Sequence, residues 1–184
     1  MTIYKLKNRE TNWGDYGSIL VSGMTAHLER EDNLLQLERS GPYVPPLVNS
    51  GLWDIVVTDR VKKNLEVSGL IGLSFRPVIK KHIVEIDWTA WDLNAEEPLY
   101  YPDSGEPEDY ILAGKHSDSI ADGIGNLWEL VTPTRGTFNN ETFIDTDSQH
   151  DIFKAENRGY ILVTEKAKHW IENNAGDWVT FELV

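Results

Sequence analysis

The sequence contains no cysteine, and that one absence excludes disulfides, thiolate-bound zinc and a cysteine nucleophile together. It fits a reducing compartment. Long apolar runs are missing too. The longest uncharged one, around Ser68–Phe75 (SGLIGLSF), is far too short to span a bilayer, and the opening MTIYKLKNRETNW has no apolar core of signal-peptide length. A soluble, cytoplasmic protein is the expectation. Positive charge is scarce: 17 Lys and Arg stand against 30 Asp and Glu, a net charge of −13. Such a chain is repelled by phosphate backbones and anionic membranes and attracted to basic partners, so neither nucleic acid nor membrane is expected as a partner.

What is present suits a folded domain. With 184 residues, 40% of them hydrophobic, and seven tryptophans, the chain has enough apolar surface to offset the entropy of folding in a single domain.

The clearest unit lies at residues 53–78. Trp53–Val57 suits a strand, Thr58 is a preferred N-cap, Asp59 places an acid in the first turn, and Val61 and Leu65 are one helical turn apart. Lys62 and Lys63 fall on the solvated side. Ser68-Gly69 offers a stop, and Leu73, Phe75 and Pro77 alternate in a strand that the proline ends or places at an edge. Residues 159–184 repeat this pattern. Without a gap, Ile161 falls on Ile55, Thr164 on Thr58, Ile171 on Leu65 and Phe181 on Phe75, with about seven identities in roughly two dozen positions. The matches fall where a capped helix and an alternating strand need them.

The remaining segments are less regular. Ser18–Gly23 suits a strand. Residues 27–41 (HLEREDNLLQLERSG) fit either an irregular helix or two short strands around Arg30–Asn33. GPYVPPLVNSG reads as a semi-rigid connector, because its prolines deny both a helix interior and a central strand. Residues 82–93 alternate like a strand, Tyr100–Tyr110 (YYPDSGEPEDY) reads as an acidic loop, Leu127–Val131 suits a strand, and residues 138–159 are polar and turn-rich. The expected organisation is thus a single domain with N-terminal strands or arm (1–50), a first repeat (53–78), an acidic inter-repeat insertion (79–158) and a second repeat (159–184).

Candidate chemistry is sparse. Asp145, Asp147, Asp151 and Glu156 fall on ligand positions of a calcium loop, but His150 stands where the sharp turn requires glycine and the flanks read as strand and turn. An acidic surface loop is the preferred reading, and no metal or other cofactor is expected. His27, His82, His116, His150 and His169 show no paired spacing, and no phosphate-binding loop or nucleophile elbow is present. The aromatic residues Tyr100, Tyr101 and Tyr110 bracket the acids Asp103, Glu106, Glu108 and Asp109. Aromatic anchors inside a charged rim are what a protein-protein interface uses.

The segment Ile55–Val78, IVVTDRVKKNLEVSGLIGLSFRPV, resembles the recurring hydrophobic strand, Ser/Thr-acid-Arg, helix, Gly, Phe-x-Pro-Val segment of a large group of bacterial immunity proteins of polymorphic toxin systems. Their C-terminal portion often carries a related segment, as Tyr160–Val184 does here. The resemblance covers about a quarter of the chain by the two repeats. It implies a protein that binds and neutralises a cognate toxin without catalysis. A branch of the group carries paired CxxCG zinc motifs, which a chain without cysteine cannot form. The shared segment is scaffold and transfers no binding residues.

The expected fold is α+β, mostly antiparallel sheet, with two similar strand-helix-strand units. The expected function is neutralisation of a basic, nuclease-type toxin through Tyr100, Tyr101, Asp103, Glu106, Glu108, Asp109 and Tyr110, without enzymatic activity. The alternatives are a regulatory or structural module for another basic protein, and a hydrolase with paired carboxylates.

Overall fold

A computed structural model of the chain describes residues 2–10, 24–25, 29–41, 43–50, 53–86, 92, 94–97, 104, 106, 108–146 and 149–184. In chain order the elements are β1 (Ile3–Asn8), β2 (Met24–Thr25), β3 (Gln36–Ser40), β4 (Leu47–Asn49), β5 (Ile55–Thr58), α1 (Asp59–Glu66), β6 (Phe75–Pro77), β7 (Ile79–Val84), α2 (Glu108–Ala113), α3 (Asp118–Ile124), β8 (Leu127–Leu130), β9 (Thr137–Asn139), β10 (Thr142–Ile144), β11 (Ile152–Lys154), β12 (Ile161–Thr164), α4 (Glu165–Asn174), a 3-10 turn (Gly176–Trp178) and β13 (Val179–Leu183). The fold is α+β with mostly antiparallel sheets. No helix among the described residues is long and apolar enough to cross a membrane.

The chain divides into two compact units. The first holds Met1–Asn8, Pro45–Arg76 and Trp128–Val184; the second holds Arg9–Val44 and Pro77–Leu127.

The first unit contains the repeat. Its strands form two four-stranded sheets, in the orders β4-β5-β8-β6 and β11-β12-β1-β13, so the two sheets have one plan. In each, a strand enters a helix and returns as a further strand, with one strand from elsewhere in the chain inserted between them. β1 is antiparallel to both β12 and β13. On the other sheet, hydrogen bonds from Val131 N to Ser74 O and from Val78 N to Leu127 O make β8 antiparallel to β6.

Both helices start in the same way. Thr58 (φ −70°, ψ 160°) accepts a hydrogen bond from Val61 N through its side chain, and Thr164 (φ −70°, ψ 161°) does so from Ala167 N. Each cap satisfies one of the amides that a helix start leaves without an intrahelical acceptor. Val61 and Leu65 on α1, and Ala167 and Ile171 on α4, turn into one core shared with Leu6, Ile55, Val57, Leu130, Ile161 and Val163. Burying each of these larger aliphatic side chains contributes roughly 1.5–3 kcal/mol. Leu162 faces the other side of its sheet, where Ile3, Phe138, Phe153 and Ala155 make a second cluster. The β9–β10 hairpin covers that face with Phe138, whose ring centroid lies 5.5 Å from that of Phe143.

The two repeats leave their helices differently. In the second, Ala175 and Val179 are buried and the chain makes a 3-10 turn. In the first, Ser68 Oγ bonds Leu65 O, Gly69 and Gly72 take φ of 74° and 72°, and Val67 and Ile71 stay exposed. Lys62 also departs from the solvated position that the sequence suggests. Its side chain is only 17% exposed, because it lies over the rings of Trp128 and Phe75 at 4.6 and 5.4 Å while pairing with Glu66.

In the second unit, β3 lies between β2, to which it is antiparallel, and β7, to which it is parallel with a bulge at Leu37/Glu38. Asp32 and Asn33, at φ 50° and 64°, form a turn closed by the Glu31–Leu34 bridge before β3, so the described part of this stretch is turn and strand rather than helix. Leu35, Leu37, Ile83, Val84 and Ile111 are buried. Lys80 Nζ donates to the carbonyls of Ala121 and Gly125 at the C-terminal end of α3, where the helix presents unpaired acceptors and partial negative charge.

Three further expectations need correction. The connector at residues 41–51 contains β4, which the prolines still confine to a sheet edge. The polar stretch 138–159 holds most of β9 and all of β10 and β11, strands of three residues each, too short for an alternation to stand out in the sequence. The acidic stretch to Tyr110 ends inside α2, with Asp109 in its first turn, where a carboxylate complements the helix dipole. Ser18–Gly23 lies outside the described residues.

Candidate functional site

The charge divides very unevenly between the units. The first carries 11 Lys and Arg against 13 Asp and Glu, a net −2, whereas the second carries 6 against 17, a net −11. Nearly all of the −13 therefore sits on the unit that the repeat does not build. Glu29, Glu85, Glu96, Glu97 and Asp122 are exposed on it. Asp118, with 98% of its side chain exposed, pairs with His116 at 3.3 Å, and Glu31 pairs with Lys81 at 3.5 Å. Neither α2 nor α3 has a basic residue in its last turn.

Of the residues expected from the sequence, Tyr100, Tyr101 and Asp103 lie outside the described residues, as do the side chains of Glu108 and Tyr110. Glu106 is exposed and its carbonyl accepts from Asp109 N at 3.1 Å, which starts α2. Asp109 is half-buried on that helix. α3 carries only a short local signal in the sequence. Its signal was Ser117 before Asp118, an N-cap and a first-turn acid, and Ser117 Oγ does accept from Ile120 N.

Two of the calcium-loop candidates, Asp145 and Asp151, are engaged by other side chains. Both oxygens of Asp145 accept from Arg135, at 2.7 and 2.6 Å. Asp151 is buried and accepts from Thr164 Oγ1 at 2.7 Å and Ile71 N at 2.9 Å. Glu156 is exposed and Asp147 lies outside the described residues. Among the described residues no three His, Asp or Glu side chains are grouped to hold a metal ion.

Two grooves open on the first unit. One, of about 580 Å³, lies between α1 and β6 with Trp128 and Phe75 in its wall and Glu66 as its carboxylate. The other, of about 430 Å³, is bordered by Ile3, Phe143 and Glu141. The acidic side chain in the lining is Glu66 in the first groove and Glu141 in the second.

Compared with family models, with curated proteins and with solved structures, the chain matches none.

Proposed function

We propose that the protein is an immunity protein that binds a cognate, basic bacterial toxin in the cytoplasm and blocks it without catalysis. The observation that carries this reading is the charge division: a nearly neutral repeat unit and a second unit at net −11. A concentrated negative field speeds encounter with a basic protein surface and selects against acidic competitors, while solubility alone would be served by charge spread over both units. The resemblance of the repeat to the immunity group supplies the biological class. In this reading Asp103, Glu106, Glu108 and Asp109 provide the field, with Asp118 and Asp122 beside them in the chain, and Tyr100, Tyr101 and Tyr110 supply desolvated contacts.

The test is co-expression with the toxic product of a neighbouring gene, followed by association kinetics on the purified pair. Reversing Glu106, Asp118 and Asp122 to lysine lowers the association rate and flattens its salt dependence. The same charge change at Glu141, Glu156 and Glu172 on the first unit leaves both nearly intact. Absence of rescue and of a complex rejects the function; equal effects of the two sets reject the site.

A further inference from the structure

β1 and β8 hold the same place in the two sheets, each inserted between the two strands of a strand-helix-strand unit. Their residues correspond in detail. Lys168 of α4 lies over Tyr4 and Phe181 at 5.2 and 5.6 Å, as Lys62 of α1 lies over Trp128 and Phe75, so Tyr4 matches Trp128. Lys168 pairs with Glu172 as Lys62 pairs with Glu66, both at one helical turn. Leu6 matches Leu130, both buried in the shared core.

Between these matched residues the charge is reversed. Lys5 stands directly opposite Glu182 on β13, with ammonium and carboxylate 3.5 Å apart. Glu129, at the corresponding place on β8, pairs with Arg76 on β6, also at 3.5 Å. Arg76 and Glu182 are themselves equivalent in the gap-free repeat. The same rung therefore carries an ion pair in both sheets, with opposite polarity.

Chain order gives the reversal a purpose. β1 precedes the first strand-helix-strand unit yet inserts into the second, and β8 precedes the second yet inserts into the first. We infer that the two halves exchange their inserted strands and that the reversed ion pairs enforce the exchange. If each strand entered the unit that follows it in the chain, Lys5 would face Arg76 and Glu129 would face Glu182. Like charges directly opposite are destabilising, and the place opposite Glu182 that Glu129 would then take, where the Lys5 side chain is only 17% exposed, offers that repulsion little screening by solvent. The neighbouring apolar rung does not make this distinction, because Leu6 and Leu130 are the same residue.

The absence of native cysteine allows the arrangement to be read directly. Cysteines at Lys7 and Thr180, which stand opposite each other, report the exchanged form; cysteines at Lys7 and Ser74 report the unexchanged one. Oxidised full-length K7C/T180C is expected to cross-link and K7C/S74C is not. Adding K5E and E129K makes both exchanged rungs repulsive and both unexchanged rungs attractive, so the ratio of the two cross-links falls by about tenfold or the chain unfolds. Adding R76E and E182R as well restores the original ratio and fold. An unchanged ratio with unchanged thermal stability in K5E/E129K, or no recovery in the fourfold variant, overturns the proposal.

Discussion

Arg135 and Asp145 face each other in a two-pronged pair, Nε to Oδ1 at 2.7 Å and Nη2 to Oδ2 at 2.6 Å, with 1% of the arginine side chain exposed and 34% of the aspartate. The guanidinium also donates to His150 O and stacks over the Phe153 ring at 4.5 Å. One arginine thus ties the chain before the β9–β10 hairpin to the chain after it. Asp145→Ala leaves that buried cation short of an acceptor and is expected to cost about 2 kcal/mol, below the usual figure for a broken buried pair because the aspartate is partly exposed. Urea unfolding measures it. Because Asp145 is engaged by Arg135, millimolar calcium is expected to leave the thermal midpoint of the wild-type protein unchanged.

The two threonine caps look alike and should not be equal. Thr58→Ala removes one bond to the first turn of α1 and should cost about 1 kcal/mol. Thr164 caps α4 and also donates its hydroxyl proton to Asp151, which is buried. Thr164→Ala therefore weakens a cap and strips a partner from a buried carboxylate, for about 2 kcal/mol or more. Thr164→Ser keeps the hydroxyl and should recover most of the loss. Equal losses at the two sites in chemical denaturation contradict this assignment.

The two threonines also show what the sequence makes legible. A cap, a first-turn acid and apolar residues one turn apart are local signals, so β5-α1-β6 and β12-α4-β13 could be read from neighbours in the chain. The inserted strands could not. β1 finds its partners at the other end of the chain, and nothing local in IYKLKN distinguishes a central strand from an arm. α2 and α3 are short helices whose acids read as loop until their placement in the first turn is known. The acidic character of the candidate site was legible in composition. Its concentration at net −11 was not, because Arg9–Val44 and Pro77–Leu127 are separate in sequence and come together only in the second unit.

Gly69 and Gly72 share a left-handed backbone, φ 74° and 72°, and separate two causes of glycine dependence. A Cβ on Gly69 meets nothing within 4 Å, whereas one on Gly72 would lie 2.2 Å from a His150 ring carbon and 2.5 Å from Gln149 O. Gly69→Ala should therefore cost only the conformational penalty, about 1 kcal/mol. Gly72→Ala adds a collision with backbone that also holds Asp151 N to Ile71 O, and should cost clearly more. A thermal shift for Gly72→Ala no larger than that for Gly69→Ala would refute the packing argument.

Arg39 carries the sharpest prediction about the second unit. Its side chain lies on β3 with 0% exposure, and none of its three guanidinium nitrogens has a hydrogen-bond partner among the described residues. Burial brings its pKa down to about 9, against an opposing pull from Tyr43. A base whose folded pKa lies below its unfolded value makes the folded state unfavourable while it stays protonated. That cost is complete at neutral pH and is relieved as pH rises through about 9, where the folded guanidinium can lose its proton before the unfolded one does. Arg39→Met, similar in length and apolar, removes the cost and is expected to stabilise the protein at pH 7 by roughly 1–4 kcal/mol. The gain should shrink at pH 10. Urea unfolding of both proteins at the two pH values decides the matter, and a destabilised Arg39→Met at pH 7 would mean that the buried cation is held by bonds of its own.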